Sequence, residues 1–122
     1  MKPKRIGLDV GSTTLKVIVL DDNDQVCFSA YKRHNAHITE TIASVFAVLD
    51  AQFGDTPFSL TVTGSVGLGI AERIRIGFVQ EVVASAAYVK RYHPEATTLI
   101  DIGGEDAKVV FLKRETPDMR MN

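Results

Sequence analysis

Two short stretches hold most of the residues that could do chemistry. One is "LDVGSTTLK", with Asp9, Gly11, Ser12, Thr13 and Lys16; the other is "IDIGGEDAK", with Asp101, Gly103, Gly104, Asp106 and Lys108. A chain of phosphates is bound by backbone N–H groups that no side chain obstructs, by hydroxyl or ammonium donors, and by a carboxylate that holds Mg²⁺. Gly11, Ser12 and Thr13 offer the N–H groups and two hydroxyls. Lys16 can reach back over the turn with its ammonium. Asp9 can hold Mg²⁺ through the ion's water shell, as suits a cation that dehydrates reluctantly. The second stretch repeats this inventory. Either stretch by itself reads more simply as a tight β-turn whose glycines take positive φ. Their pairing shifts the balance, because Asp9 and Asp101 each interrupt an apolar strand pattern. A carboxylate so placed costs free energy unless it has a partner. The expectation is two halves of a clamp for nucleotide phosphates, with Asp9 and Asp101 on the Mg²⁺ side.

The elements that must position these residues follow from periodicity. Arg5 to Val10 alternates as a buried strand with Ile6, Leu8 and Val10 on one face, and Leu15 to Leu20 returns beside it. The polar run Asp21 to Gln25 closes a hairpin, and Val26 to Arg33 adds a third strand to an antiparallel meander. From Ala36 to Phe53, Ile38, Ile42, Val45, Phe46, Leu49 and Phe53 recur at helical spacing, with Asn35 as N-cap and Gly54 at the end. Phe58 to Gly64 is a fourth strand, parallel to the first after a helical crossover. A short helix from Val66 to Ile74, a brief strand in "FVQEV" and a helix from Val83 to Tyr92 come next. The second hairpin occupies Thr98 to Leu112. Three meandering strands followed by crossovers give an α/β fold with a mixed sheet. They argue against a doubly wound dinucleotide-binding fold, in which strand and helix alternate from the start.

The sequence of 122 residues gives room for one core and little more. A formal net charge of −1 supplies no broad attraction to nucleic acid or to an anionic membrane, so phosphate binding must be local. No apolar run approaches the ~20 residues of a membrane span, and the N-terminus enters a strand without a signal-peptide core. The single cysteine, Cys27, forms no internal disulfide and fits a reducing cytoplasm. His34 and His37 stand near metal-ligand spacing with no third ligand close by, and they read as solvated. Arg73, Arg75, Lys90 and Arg91 read as solvated charge.

"IGLDVGSTTLKVIVLD" and "TLIDIGGEDAKVVFL" resemble the phosphate 1 and phosphate 2 motifs of the actin, heat-shock chaperone and sugar kinase superfamily. More closely they resemble the activator ATPases of 2-hydroxyacyl-CoA dehydratases and benzoyl-CoA reductases. Asp9, Gly11, Ser12, Thr13 and Lys16 match that family's D-x-G-S-T-x-x-K. Asp101, Gly103, Gly104, Asp106 and Lys108 match its D-x-G-G-Q-D-x-K, with Glu105 in place of Gln. "VTGSVG", Val62 to Gly67, is similar to the family's V-T-G-Y-G-R, with Ser65 in place of Tyr and no Arg directly following.

The resemblance implies a ribonuclease-H-like, actin-like ATPase lobe over residues 1–95, with a mixed five-stranded sheet and flanking helices. Residues 96–122 would be the first hairpin of a second lobe. It implies ATP and Mg²⁺ as cofactors, and Asp9, Asp101 and Glu81 as catalytic residues. Glu81, at the strand-to-helix junction before phosphate 2, would orient the attacking water; the plainer reading is a carboxylate placed at a helix start. The family's next segment, Cys-Ala-Ala-Gly-Thr-Gly, brings a cysteine ligand for an iron–sulfur cluster shared by two subunits, and it does not occur in this sequence. The resemblance therefore implies the N-terminal portion of a longer, cytoplasmic ATPase of anaerobic metabolism. That parent would carry an iron–sulfur cluster which this portion lacks, and would form a homodimer or repeat its domains. It would couple hydrolysis to electron delivery to a CoA-ester dehydratase or reductase, with no nucleic-acid or membrane partner. Two alternatives stand beside it: a small-molecule kinase of the same fold, and a non-catalytic actin-like assembly module.

Overall fold

The computed structural model describes residues 4–102 and 107–112. The chain divides into two compact units, Met1–Glu81 and Val82–Asn122.

In the first unit, β1 (Lys4–Val10), β2 (Thr14–Leu20) and β3 (Val26–Arg33) form the antiparallel meander that the alternation predicts. Helix α1 (Ile38–Phe53) crosses to β4 (Phe58–Thr63), which lies parallel to β1, and α2 (Gly67–Ile74) leads to the two-residue strand β5 (Gly77–Phe78), parallel to β4. The sheet order β3-β2-β1-β4-β5 is mixed and five-stranded. Alternation along β1 and β2 sends Ile6, Leu8, Val10, Leu15, Val17 and Val19 to one face. There they are buried with Val62 of β4, Val45 and Leu49 of α1, and Ala71 of α2. Each large apolar side chain buried in this way contributes about 2 kcal/mol. The opposite face of β1 and β2 carries Arg5, Gly7, Asp9, Lys16 and Ile18, all partly or largely exposed.

The start of α1 departs from expectation. Asn35 (φ 49°) and Ala36 (φ 64°) both take left-handed backbone conformations, so Asn35 is not the cap. The helix begins at Ile38, with His37 at the N-cap position and no side chain capping it. Its end is as read, with the Gly54 N–H donating to the Asp50 carbonyl (2.9 Å).

The second unit holds the body of α3 (Glu81–Tyr92) and an antiparallel hairpin of β6 (Thr98–Ile102) and β7 (Ala107–Phe111). Helix α3 starts at Glu81, two residues earlier than the periodicity indicates, and a carboxylate in the first turn suits the positive end of the helix dipole. No residue of α3 is fully buried. Among the described residues no helix is long and apolar enough to cross a membrane.

Candidate phosphate-binding site

The first Gly-rich stretch is the turn between β1 and β2. The Gly11 N–H donates to the Thr14 carbonyl (2.9 Å), which closes the turn, while Ser12 and Thr13 are exposed. Among the described residues nothing accepts a hydrogen bond from the Ser12 or Thr13 amide. Two exposed amides and two exposed hydroxyls at one turn are the donor set that a phosphate oxygen requires.

Asp9 and Lys16 are register partners across the β1–β2 ladder. Their charged groups lie 3.8 Å apart, both substantially exposed. The strand's alternation puts Asp9 on the face away from the core. The desolvation cost anticipated from its apolar neighbours in sequence is thus relieved by solvent and by Lys16, before any cation is considered. The register continues outward on both sides: Thr63 of β4 pairs with Asp9, and Tyr31 of β3 pairs with Lys16, whose ammonium lies 5.7 Å from the Tyr31 ring centroid. A row Thr63–Asp9–Lys16–Tyr31 therefore crosses four strands. Thr63 Oγ1 is buried, with no hydrogen-bond partner among the described residues.

The loop after β4 closes on the same place. The Val66 N–H donates to the Val10 carbonyl (3.0 Å), and Gly64 (φ 104°) lies against the end of β1. A Cβ at Gly64 would sit 2.3 Å from the Val10 carbonyl oxygen and 2.6 Å from Asp9 Oδ1. Only glycine permits both that backbone conformation and that approach. The sequence marks Gly64 as one letter of "VTGSVG"; its contact with Asp9 is visible only once β4 is laid beside β1.

His34 corrects an expectation. It is not solvated but 3% exposed, with Nε2 2.9 Å from the Gly11 carbonyl oxygen. The spacing to His37 gave no hint of this, because the ring is buried through the β2–β3 pairing and not through any local pattern. His37 is exposed as expected, its Nδ1 lying 3.6 Å from a Glu40 carboxylate oxygen.

The second hairpin repeats the strand register of the first. Asp101 and Lys108 are register partners as Asp9 and Lys16 are, and the pair Ile102–Ala107 closes the ladder where Val10–Leu15 does in the first copy. The interval from Asp to Lys is the same in both. Asp101 and Lys108 are half-buried. Gly103, Gly104 and Asp106, with Glu105, lie outside the described residues. Glu81 is the first residue of α3, and among the described residues no amide donates to its carboxylate, so its local role at the helix start is that of charge against the dipole.

Among the described residues no cluster of three or more His, Cys, Asp or Glu side chains could cage a metal ion. Asp9, the Ser12 and Thr13 hydroxyls and the unpartnered Thr63 Oγ1 are hard oxygen donors, which fit Mg²⁺ held largely through its own waters. The residues present do not fit an iron–sulfur centre, which takes several thiolates. Cys27 is the sequence's single cysteine, half-buried on β3 with its Sγ 3.5 Å from the Val19 carbonyl oxygen.

The class this fold defines is the actin-like ATPase lobe. The solved component A of the Acidaminococcus fermentans (R)-2-hydroxyglutaryl-CoA dehydratase superposes with a TM-score of 0.76 at 24% identity, covering 92% of this chain and 44% of that one. The activator of the 2-hydroxyisocaproyl-CoA dehydratase from Clostridium difficile, solved with bound ADPNP, superposes with a TM-score of 0.64 at 26% identity, over 90% and 41% of the two chains. In sequence the chain is 28% identical over 112 residues to the (R)-2-hydroxyglutaryl-CoA dehydratase activating ATPase of Acidaminococcus fermentans. It is 30% identical over 119 residues to the 2-hydroxyisocaproyl-CoA dehydratase activator of Clostridioides difficile. No protein-family model matches the chain. The chain is thus a homologue of the dehydratase-activating ATPases, and it spans 43% and 40% of the lengths of these two curated relatives.

Proposed function

We propose that the chain supplies the phosphate-binding hairpins of an ATPase that activates a CoA-ester dehydratase or reductase. In this reading residues 1–95 form its first ATPase lobe and residues 96–122 open its second. The observation that carries the proposal is the duplicated hairpin: in both copies Asp and Lys face each other across the ladder at the mouth of a Gly-rich turn. A structural turn alone requires neither charge, still less the same pair twice.

In this reading the amides and hydroxyls of Ser12 and Thr13 bind phosphate oxygens, and Gly103, Gly104 and Asp106 serve the second turn. Lys16 exchanges part of its pairing with Asp9 for the phosphate charge, and Lys108 offers its ammonium to the phosphates at the second turn. Asp9 and Asp101 hold Mg²⁺ through water, and the ion when bound supplies positive charge against the phosphates. Glu81 orients the attacking water, a task of positioning that a single carboxylate can perform. Delivery of electrons to the dehydratase, a cytoplasmic setting, and a homodimer or repeated domains belong to the same proposal. An iron–sulfur cluster would have to be held by residues other than those of this sequence.

The test is ATP hydrolysis by an activator-length protein carrying this chain. Asp9→Asn and Asp101→Asn keep shape and lose charge. Each is expected to slow turnover by roughly a hundredfold, the scale of single groups that act on transition-state charge, with thermal stability little changed. Glu81→Gln is expected to slow hydrolysis while leaving ATP affinity nearly intact. Parental turnover in both Asn variants would refute the clamp.

A further inference from the structure

His34 is the buried polar residue of the core among the described residues, and its hydrogen bonds converge on the first Gly-rich turn. Its Nδ1 accepts the Ala36 N–H (3.1 Å), so that nitrogen carries no proton. The proton is then on Nε2, which donates to the Gly11 carbonyl at 2.9 Å. The His34 backbone N–H donates to the Thr13 carbonyl (3.0 Å), and the His34 carbonyl accepts the His37 N–H (2.7 Å). The residue is thus fixed at four points, two of them on the turn. The backbone bends to allow this: Ala36 holds φ 64°, a conformation an alanine adopts only at a cost, and its N–H is the group that sets the tautomer.

The consequence follows from peptide geometry. A trans peptide points its C=O and the next N–H in opposite directions within one plane, and the chain has no cis bond among the described residues. With the Gly11 carbonyl held toward the buried ring, the Ser12 N–H must face away from it. We infer that His34 is a positioning residue: it grips the turn from the core side and thereby aims the Ser12 amide at the open side, where a phosphate oxygen would be bound. The inference rests on the reading that this turn takes phosphate. It adds a residue outside both Gly-rich motifs, from the third strand's end, whose side chain touches no ligand.

The experiment uses the 122-residue chain, labelled with ¹⁵N. Long-range proton–nitrogen correlations of the His34 ring are expected to show the Nε2–H tautomer; the Nδ1–H tautomer would overturn the inference without any variant. Magnesium tripolyphosphate is then titrated while the Ser12 amide resonance is followed. His34→Asn keeps an acceptor for the Ala36 N–H but removes the donor to Gly11. It is expected to weaken binding by roughly tenfold, the upper range for one hydrogen bond. His34→Gln keeps an N–H donor at about the reach of Nε2 and is expected to bind within about twofold of the parent, because the Gly11 contact survives. Parental affinity in a folded His34→Asn chain overturns the inference alone. If His34→Asn does not fold, a tenfold loss in His34→Gln overturns it. A parental turn whose Ser12 amide ignores tripolyphosphate sinks the phosphate reading, and the inference with it.

Discussion

Asp9 is bounded by three groups that decide how it can act: Lys16 across one ladder, Thr63 across the other, and the Gly64 backbone against its carboxylate. The ion pair with Lys16 is exposed and worth about 0–1 kcal/mol, weak enough for a phosphate to displace. Gly64 is a harder constraint. Gly64→Ala adds a Cβ 2.3 Å from the Val10 carbonyl oxygen at a backbone angle that alanine resists. It is expected to cost about 3 kcal/mol or more, read as a fall in the midpoint of urea unfolding. Unchanged stability would mean that the β4–α2 loop does not lie against β1. At this scale the sequence was legible where chemistry is local. Asp, Gly, Ser, Thr and Lys stand at intervals that a hairpin register converts into contacts. It misread His34 as solvated, since the ring is buried against the Gly11 turn, and was silent on Thr63, which meets Asp9 only across a parallel crossover.

The elements divide by how much tertiary structure each needs. Strands β1 to β4 and helix α1 declare themselves through period and turn residues, because one face of each must be apolar. The start of α1 does not. Asn35 has the right chemistry for a cap, but the His34 ring claims the Ala36 N–H and the chain turns through two left-handed residues before the helix begins. Helix α2 offers a clean test of local propensity. Gly69 is interior to it, in ordinary helical backbone, and a Cβ there meets nothing within 4 Å. Gly69→Ala is therefore expected to stabilise the chain by about 0.5–1 kcal/mol, seen as a higher denaturation midpoint at unchanged slope. A loss of stability would place an unseen neighbour over that face of α2.

Taken whole, the molecule uses one hairpin design in two settings. In the first unit Leu8, Val10, Val17 and Val19 are buried under α1 and α2. At the same register positions in the second unit, Ile100, Ile102, Val109 and Phe111 are exposed, Ile102 and Phe111 at 79% each. The faces bearing Asp9 with Lys16 and Asp101 with Lys108 are nonetheless built alike. What is duplicated is the Asp–Lys register pairing and the Gly-rich sequence that follows the Asp, while the packing of the strands differs. The echo was legible in sequence because the Asp-to-Lys interval is identical; the exposed face was not, since an apolar strand reads the same whether or not something covers it. The central proposal is that the Gly-rich stretch of each hairpin takes phosphate, and the most direct measurement is a titration of the ¹⁵N-labelled 122-residue chain with magnesium ATP. The expected result is that the amide resonances of Gly11, Ser12 and Thr13 and those of Gly103 and Gly104 move as nucleotide is added, while those of the Asp21–Gln25 turn stay still. Movement confined to one turn, or no movement at either while the chain remains folded, would contradict it.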